Sequence, residues 1–365
     1  MIWDFLIIGG GIAGVSAAAR LAPLGRVCLL EGEGALAYHA SGRSAALFEE
    51  SYGTPAVVAL NTASKAFHLD PAAGFARPRG LMILGRSDEA DGFDADVASL
   101  SLDRISPTDA RALVPIIDPK KVVLAAYHDS AWDLDTDRII QSFVRGARAD
   151  GAQITTNQRI TALRKQRHAI GSGYWLAKTS SGQTFEARMV INAAGAWADD
   201  IAQMAGLPRL GLTPYRRSMA RIPAPGNHDI SDWPMIFGVG ESWYAKPDAG
   251  KLLVSPAEED PMPPHDAFAD DMVLAEGLHR YSEMVTEPVT RLETSWAGLR
   301  TFAPDRALVI GPAPQDHSFI WLAGQGGYGF QTAPAASQLT ADLIAARPSE
   351  LNTTLIAALS PARFS

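Results

Sequence analysis

"FLIIGGGIAGVSAAARLAPLGRVCLLEGE", Phe5 to Glu33, decides the fold. Four glycines, Gly9, Gly10, Gly11 and Gly14, fall between two short apolar runs. Glycine inside regular structure costs roughly 0.5–1 kcal/mol relative to alanine, so this turn needs bare backbone for another purpose. Phe5-Leu6-Ile7-Ile8 reads as a strand buried on both faces of a parallel sheet. Ile12 to Leu24 is alanine-rich and reads as a helix, and Arg26 to Glu31 as a second apolar strand ending in a carboxylate. Together they form one βαβ unit whose turn obeys G-x-G-x-x-G. Gly9 allows the sharp turn, Gly11 lets a pyrophosphate approach the backbone, and Gly14 brings helix and strand together. The helix N-terminus at Ile12 and Ala13 presents its positive end to phosphate. Glu31 is placed to accept hydrogen bonds from a ribose and would repel a 2′-phosphate, which disfavours NADP.

The rest of the composition narrows the class. The chain has 365 residues, 47% hydrophobic and 20% charged, enough for two domains or one large composite domain. A formal net charge of -8 argues against nucleic acid as a partner. The single cysteine, Cys28, excludes an internal disulfide framework or a cysteine zinc cluster, and no metal site is expected. No apolar run reaches the length of a spanning helix, and the first residues do not read as a signal peptide. These features predict an intracellular, cytoplasmic protein.

Three further stretches bear on the choice of dinucleotide. "GEGALAYHASGRSAALFEESYGT" after Glu31 is rich in small residues and suits close passage along a planar ligand. "ARMVINAAGAWADDIAQMAG", Ala187 to Gly206, reads as strand, Ala-Ala-Gly turn and helix. "FIWLAGQGGYGFQTAPAASQLTADLIAA", Phe319 to Ala346, repeats that pattern with a glycine-rich turn. A second helix start at that turn would stabilise negative charge on a reduced flavin ring, so the three together favour FAD.

The order of Gly9-x-Gly11-x-x-Gly14, Glu31, "SGRSAA", "NAAGAW" and "GGYGFQT" resembles the FAD-dependent amine oxidoreductases, the family of D-amino acid oxidase, glycine oxidase and monomeric sarcosine oxidase. Within it, "YHASGRSAALFEESYGTP", "PYRRS", "DWPM", "SWYAKPDAGKLLVSPA", "SWAGLRTF" and "GQGGYGFQT" are similar, in that order, to the D-arginine dehydrogenase subgroup. The resemblance implies an α/β protein: a Rossmann-like FAD domain from residues 1–76, 134–211 and 295–365, and a substrate domain, mainly antiparallel sheet, from 77–133 and 212–294. The residues agree. "DTDRIIQSFVRGARADGAQITTN" reads as helix then strand, with Ile139, Ile140, Phe143, Val144 and Ala147 at helical spacing. "TPYRRSMARIP", "SWYAKP" and "GKLLVSP" alternate as antiparallel strands do, the last two joined by Pro247-Asp248-Ala249-Gly250.

The family moves a hydride from the substrate Cα to flavin N5, leaving an imine that water hydrolyses. An arginine fork binds a substrate carboxylate bidentately, and Arg217 and Arg300 fall on the carboxylate-binding positions. Arg217 follows Arg216 on a strand, so the two side chains point to opposite faces. Tyr52 and Tyr244 match active-site tyrosines, and Gln331 stands at the start of the C-terminal helix. The resemblance also implies cofactor contacts at Gly32, Ser41, Arg43, Ser44, Ala45, Ala46, Ile160, Ala194, Gly195 and Trp197. On the C-terminal turn it implies Gly326, Gly327, Tyr328, Gly329, Phe330, Gln331 and Thr332. His39 is expected to be a loop histidine and the FAD to be non-covalent, since Cys28 lies inside a strand.

The chain departs from the subgroup in the side-chain pocket. Gly80 stands for its key glutamate and Leu47 for its loop histidine, and Met235 and Phe237 add apolar wall. The expectation is oxidative deamination of D-amino acids, neutral and apolar in preference, with Glu49 as the residue that could restore a cation site. The electron acceptor, quinone or oxygen, is open. Two alternatives share the site: a secondary-amine oxidoreductase acting on an N-methylglycine or imino acid, and a flavin-binding subunit without turnover.

Overall fold

The computed structural model describes residues 1–166 and 173–365. The strand Ile2–Ile8 lies between Val27–Leu30 and Thr184–Asn192, parallel to both. Gln153–Thr155 extends the sheet in parallel beyond Val27–Leu30, and Asp316–Ala323 does so beside Thr184–Asn192. Side chains alternate between two apolar layers, as strand geometry requires. Phe5, Ile7, Val27 and Leu29 meet the helices Ile12–Leu21, Thr136–Ala149 and Gly329–Ile344. Leu6, Ile8, Cys28 and Leu30 face Ile160, Leu163, Trp175 and Ile201. The sequence thus produces the α/β dinucleotide fold expected of it.

Two glycines in the first turn are required by contact. Gly9 has φ +106°, and a Cβ there would strike the Ala193 carbonyl. A Cβ on Gly14 would strike the carbonyl oxygen of Gly9, so Gly14 packs helix on strand and stays out of the cavity. The first helix ends at Leu21 and continues only as a 3-10 turn, Ala22–Leu24. It is shorter than its alanine-rich run because Pro23 has no N–H to give.

The second sheet is nine-stranded and mainly antiparallel. Its core is Thr213–Pro223, Lys251–Ser255, Tyr244–Asp248, Met235–Gly238, Leu81–Gly85 and Leu124–His128. Ala249 and Gly250 both have positive φ, the condition for a tight hairpin between twisted strands. Thr294–Phe302 pairs with Thr213–Pro223 along its whole length. Residues 295–302 therefore belong to this sheet, not to the first domain as the segment boundaries implied. The pairing spans some eighty residues of sequence and leaves no local trace. Its consequence is direct: Tyr215 lies opposite Arg300 and Arg217 opposite Gly298, so Arg217 and Arg300 share one face of the sheet.

A small sheet of Leu47–Phe48, Trp132–Leu134 and Ala76–Pro78 sits between the two. Its buried Asp133 accepts from Arg79 Nε at 2.8 Å and Lys246 Nζ at 2.9 Å, tying it to the second sheet. Burial works against the Asp133 charge, yet Lys246 and Arg79 hold its carboxyl below the usual range. Pro334 inside the C-terminal helix removes one helical N–H; beside it, Ala335 N donates to Ser64 and the Gln331 carbonyl faces His68 Nε2 at 3.0 Å. Among the described residues no helix is long and apolar enough to cross a membrane.

Candidate active site

The glycine-rich turn opens into a cavity of about 260 Å³ lined by Gly9, Gly11, Glu31, Gly32, Ile160, Ala194 and Trp197. A larger cavity of about 520 Å³ lies between the two sheets, lined by Tyr52, Arg217, Tyr244, Arg300 and Gln331. Gly11, Ser41, Arg43 and Gly195 line both, so the two form one slot. Most of the expected cofactor residues lie along it: Ile12, Ala13, Ser44, Ala45, Ala46, Gly326, Gly327, Gly329 and Phe330 line the larger cavity.

The slot fits an elongated anionic dinucleotide. The helix Ile12–Leu21 starts at Gly11 with no side-chain cap and no acid in its first turn. The helix Gly329–Ile344 starts at Tyr328 in the same way. At the first end Ser41 Oγ accepts from Ile12 N at 3.0 Å; without a cap of its own or an acid in the first turn, each end still suits an anion. Glu31 is held in place at the first end: its Oε2 accepts from Gly10 N at 2.6 Å and its Oε1 from Glu33 N at 2.8 Å. Arg43 serves the fold more than the cavity, donating to the carbonyls of Ala267 and Ala297 at 2.8 Å each and pairing with Asp266. His39 lies 3.0 Å from Glu33 and 3.8 Å from Asp266 and lines only the smaller cavity. Cys28 is buried, and burial pushes its thiol up to about 12.

Besides Gly14, three expected residues stand elsewhere. Gly80 does not line the cavity; it backs onto Tyr127, whose ring a Cβ would meet at 2.8 Å, and the neighbouring Leu81 faces the cavity instead. Thr332 is fully buried in the helix and returns its hydroxyl to the Tyr328 carbonyl at 2.9 Å. Tyr328 lies behind Tyr52, ring centroids 5.3 Å apart, with a hydroxyl that burial pushes up.

The residue that sequence reasoning missed is Glu241. It sits in the tight turn Val239–Glu241 with φ +54°. Its Oε1 accepts from Arg217 Nη1 at 2.8 Å and its Oε2 from Tyr52 Oη at 2.8 Å, and Arg300 Nη1 is 3.7 Å away. A carboxylate of the chain's own thus lies where the arginines were expected to receive one. Burial would raise the Glu241 carboxyl, but Arg217 and Arg300 hold it below the usual range. Burial, with the Glu241 charge beside it, pushes the Tyr52 hydroxyl well up, so Tyr52 acts as a donor. Arg217 is fully engaged, since its Nε also donates to the Glu258 carbonyl at 3.0 Å and its Nη2 lies 3.4 Å from Glu259. Among the described residues Arg300 has no such hydrogen-bonded partners, only Glu241 at 3.7 Å. Burial opposes its charge, yet Tyr244, Tyr52 and Glu241 keep it firmly protonated. The one visible signal for Glu241 was its place beside the "SWYAKP" strand.

The remaining wall is mainly apolar, Leu47, Leu81, Ile83, Met219, Met235 and Phe237, interrupted by Ser99 and by Asp96, whose carboxylate accepts from Gly240 N at 2.7 Å. Glu49 lines it too, with one carboxylate oxygen hydrogen-bonded within the protein and the other buried near His128 without a hydrogen bond. Oε1 accepts from Ser51 N at 3.0 Å, and Oε2 lies 3.1 Å from His128 Nε2. His128 Nδ1 accepts from Ser130 N, which leaves the ring proton on Nε2, toward Glu49. The Gln331 side chain accepts from Glu49 N at 2.6 Å, locking this loop to the C-terminal helix.

The sequence matches the DAO family, described as FAD dependent oxidoreductase, over residues 4–343. Hydrogen cyanide synthase subunit HcnC of Pseudomonas aeruginosa is 25% identical over 211 residues, covering 57% of this chain and 46% of that one. The chain spans about half the length of several curated relatives it matches, and 81% of FAD-dependent oxidoreductase domain-containing protein 1 of Bos taurus, to which it is 24% identical over 93% of its own length. L-α-glycerophosphate oxidase from Mycoplasma pneumoniae, solved with FAD bound, superposes with a TM-score of 0.83 at 20% identity, covering 97% of each chain. Glycine oxidase from Geobacillus kaustophilus superposes with a TM-score of 0.82 at 21% identity, covering 99% of this chain and 98% of that one. At these identities the two structures speak to the fold.

Proposed function

Because this chain belongs to the family of FAD-dependent oxidoreductases, we propose that it oxidises the α-amine of free D-amino acids, apolar ones in preference, to 2-oxo acids and ammonia. FAD, when bound, supplies the acceptor for the substrate's Cα hydride. The observation that carries the reading is Arg300: a charged fork without a bidentate partner among the described residues, lining the larger, mainly apolar cavity. Such a fork fits a carboxylate. A carboxylate on Arg300 directs the rest of the substrate along Leu81, Ile83, Met235 and Phe237. Tyr52 and Tyr244 supply hydroxyls beside it; neither is a base at neutral pH. The D-configuration draws its support from the shared segments around Tyr52, Tyr244, Arg300 and Gln331. The amine as the reacting group draws support from the glycine oxidase likeness.

The test is anaerobic mixing of the holoenzyme with D- and L-amino acids, N-methylglycine and proline while flavin absorbance is followed. The reading expects bleaching by D-leucine, D-methionine and D-phenylalanine faster than by D-alanine, since each buried methylene contributes about 0.8 kcal/mol. Faster bleaching by N-methylglycine or proline would replace it with the secondary-amine reading. A yellow protein that no amine bleaches would point to a flavin-binding subunit.

A further inference from the structure

We infer that Glu259, braced by Arg306, is a positioning residue that holds Arg217 in the plane needed to receive a substrate carboxylate. The inference rests on reading Arg217 and Arg300 as a carboxylate site. Arg217 is 8% exposed and gives each nitrogen of its guanidinium to a different partner: Nε to the Glu258 carbonyl, Nη1 to Glu241, Nη2 to Glu259. Of the three, Glu241 alone shares its carboxylate with Tyr52 and stands near Arg300. It is the partner a substrate carboxylate would replace. The other two contacts then decide whether the fork keeps its plane.

Glu259 is itself fixed. Arg306 Nη2 donates to both of its oxygens, at 2.8 and 2.9 Å. Arg306 in turn lies over the Phe302 ring, 3.9 Å from its centroid, and within 6.0 Å of the Tyr215 ring. Phe302 ends the strand that carries Arg300, and Tyr215 lies two residues before Arg217. The brace therefore references Arg217 to both strands that bear the arginines. Its charges cancel: Arg306 neutralises Glu259, so Glu259 orients Arg217 without subtracting from the field that draws an anion. Burial opposes the Arg306 charge, but Glu259 holds it in place. The brace is also half-exposed, with side chains 42% and 34% accessible. An exposed pair contributes little to folding, so its effect should fall on the buried arginine it touches. Arg300 has no matching brace among the described residues.

The experiment compares wild-type holoenzyme with Glu259→Ala, Glu259→Gln and Arg306→Ala, each checked for FAD content and thermal midpoint. The probe is isocaproate, the leucine skeleton without its amine, titrated against the flavin spectrum. Outer partners that orient metal ligands are worth roughly 10–100-fold in affinity, and by analogy Glu259→Ala should weaken isocaproate about tenfold. The KM of the best amino acid should rise by the same factor while kcat stays within about twofold. Arg306→Ala should follow in the same direction. Glu259→Gln keeps an acceptor oxygen for Arg217 and should retain most of the wild-type affinity. Crystal structures of wild type and Glu259→Ala give a readout independent of substrate: the Arg217 guanidinium should leave its place in the variant. If Arg217 stays put and isocaproate binds unchanged, the inference is wrong. If wild type binds no isocaproate and oxidises no amino acid, the reading of the site falls, and the Arg217 position alone decides the brace.

Discussion

Arg217 donates to Glu241 at 2.8 Å inside the cavity, an ion pair where a substrate carboxylate was expected. Glu241 balances one of the two arginines, while Asp96 and Glu49 stand elsewhere on the same wall. An incoming carboxylate meets a fork with open donors on Arg300 and a competitor on Arg217. The two arginines are therefore not equivalent.

Arg300→Ala should raise KM far more than any other single change at the site. Losing a desolvated, hydrogen-bonded charge pair costs about 2–5 kcal/mol, or roughly thirtyfold to several thousandfold in affinity. Arg217→Ala should also raise KM, because Glu241 loses its partner and turns to Arg300. Adding Glu241→Gln to Arg217→Ala should then return part of the loss, which a double-mutant cycle on KM would read. A double variant worse than Arg217→Ala would remove Glu241 as the competitor.

Glu241→Gln alone should tighten isocaproate several-fold, since the amide competes for Arg300 more weakly than a carboxylate does. Weaker binding would mean that Glu241 supports the ligand site rather than contesting it.

FAD should be held without a covalent bond. Cys28 is buried in a strand of the first sheet, and His39 is engaged with Glu33 and Asp266 in the smaller cavity. Acid precipitation should release all flavin to the supernatant; flavin retained in the pellet would refute the expectation.

Glu49→Gln should leave the preference for D-leucine over D-arginine unchanged. Its carboxylate faces Ser51 and His128, so no free charge is removed from the pocket. The check is kcat/KM for both substrates in wild type and variant. A wild type that prefers D-arginine, with the preference lost on Glu49→Gln, would show that the carboxylate reaches the substrate after all.

What could be read in advance follows the range of the interactions. The βαβ unit was legible because strand, turn and helix are local, and because Gly14 is dictated by contact with the backbone of Gly9 a few residues away, although the carbonyl that demands Gly9, on Ala193, is distant in the chain. The partnership of Arg217 with Arg300 came from resemblance. Its physical basis, the antiparallel register that sets Tyr215 against Arg300, joins segments distant in the chain. Glu241 showed in the sequence only as a neighbour of the "SWYAKP" strand: a Gly-Glu in a turn looks like solvent-facing loop, and only the folded sheet carries it between two arginines. Gly80 failed for a related reason. Position along a strand does not say which way it faces, and one residue's difference moved the cavity wall to Leu81.

The last prediction concerns acid stability and His68. This histidine is fully buried, with Nε2 3.0 Å from the Gln331 carbonyl in the helix that closes the cavity. Burial pushes its pKa down from 6.5 to about 4, against the backbone carbonyls of Gln331 and Phe330, which favour the protonated ring. Between those two values the unfolded chain binds a proton that the folded chain refuses. Stability is therefore fully present above the unfolded value and falls as pH drops toward the folded one, by about 1.4 kcal/mol per unit and about 3 kcal/mol in all. Asp133 does not confuse this window, because its depressed carboxyl loses its contribution only below the ordinary carboxylate value of 3.8. His68→Gln keeps a donor for the Gln331 carbonyl but cannot titrate. Urea midpoints at about pH 7, 6 and 5 should fall more steeply for wild type than for His68→Gln. Parallel curves for the two proteins would show that the ring is protonated in the fold and that the helix start is not held by a neutral histidine.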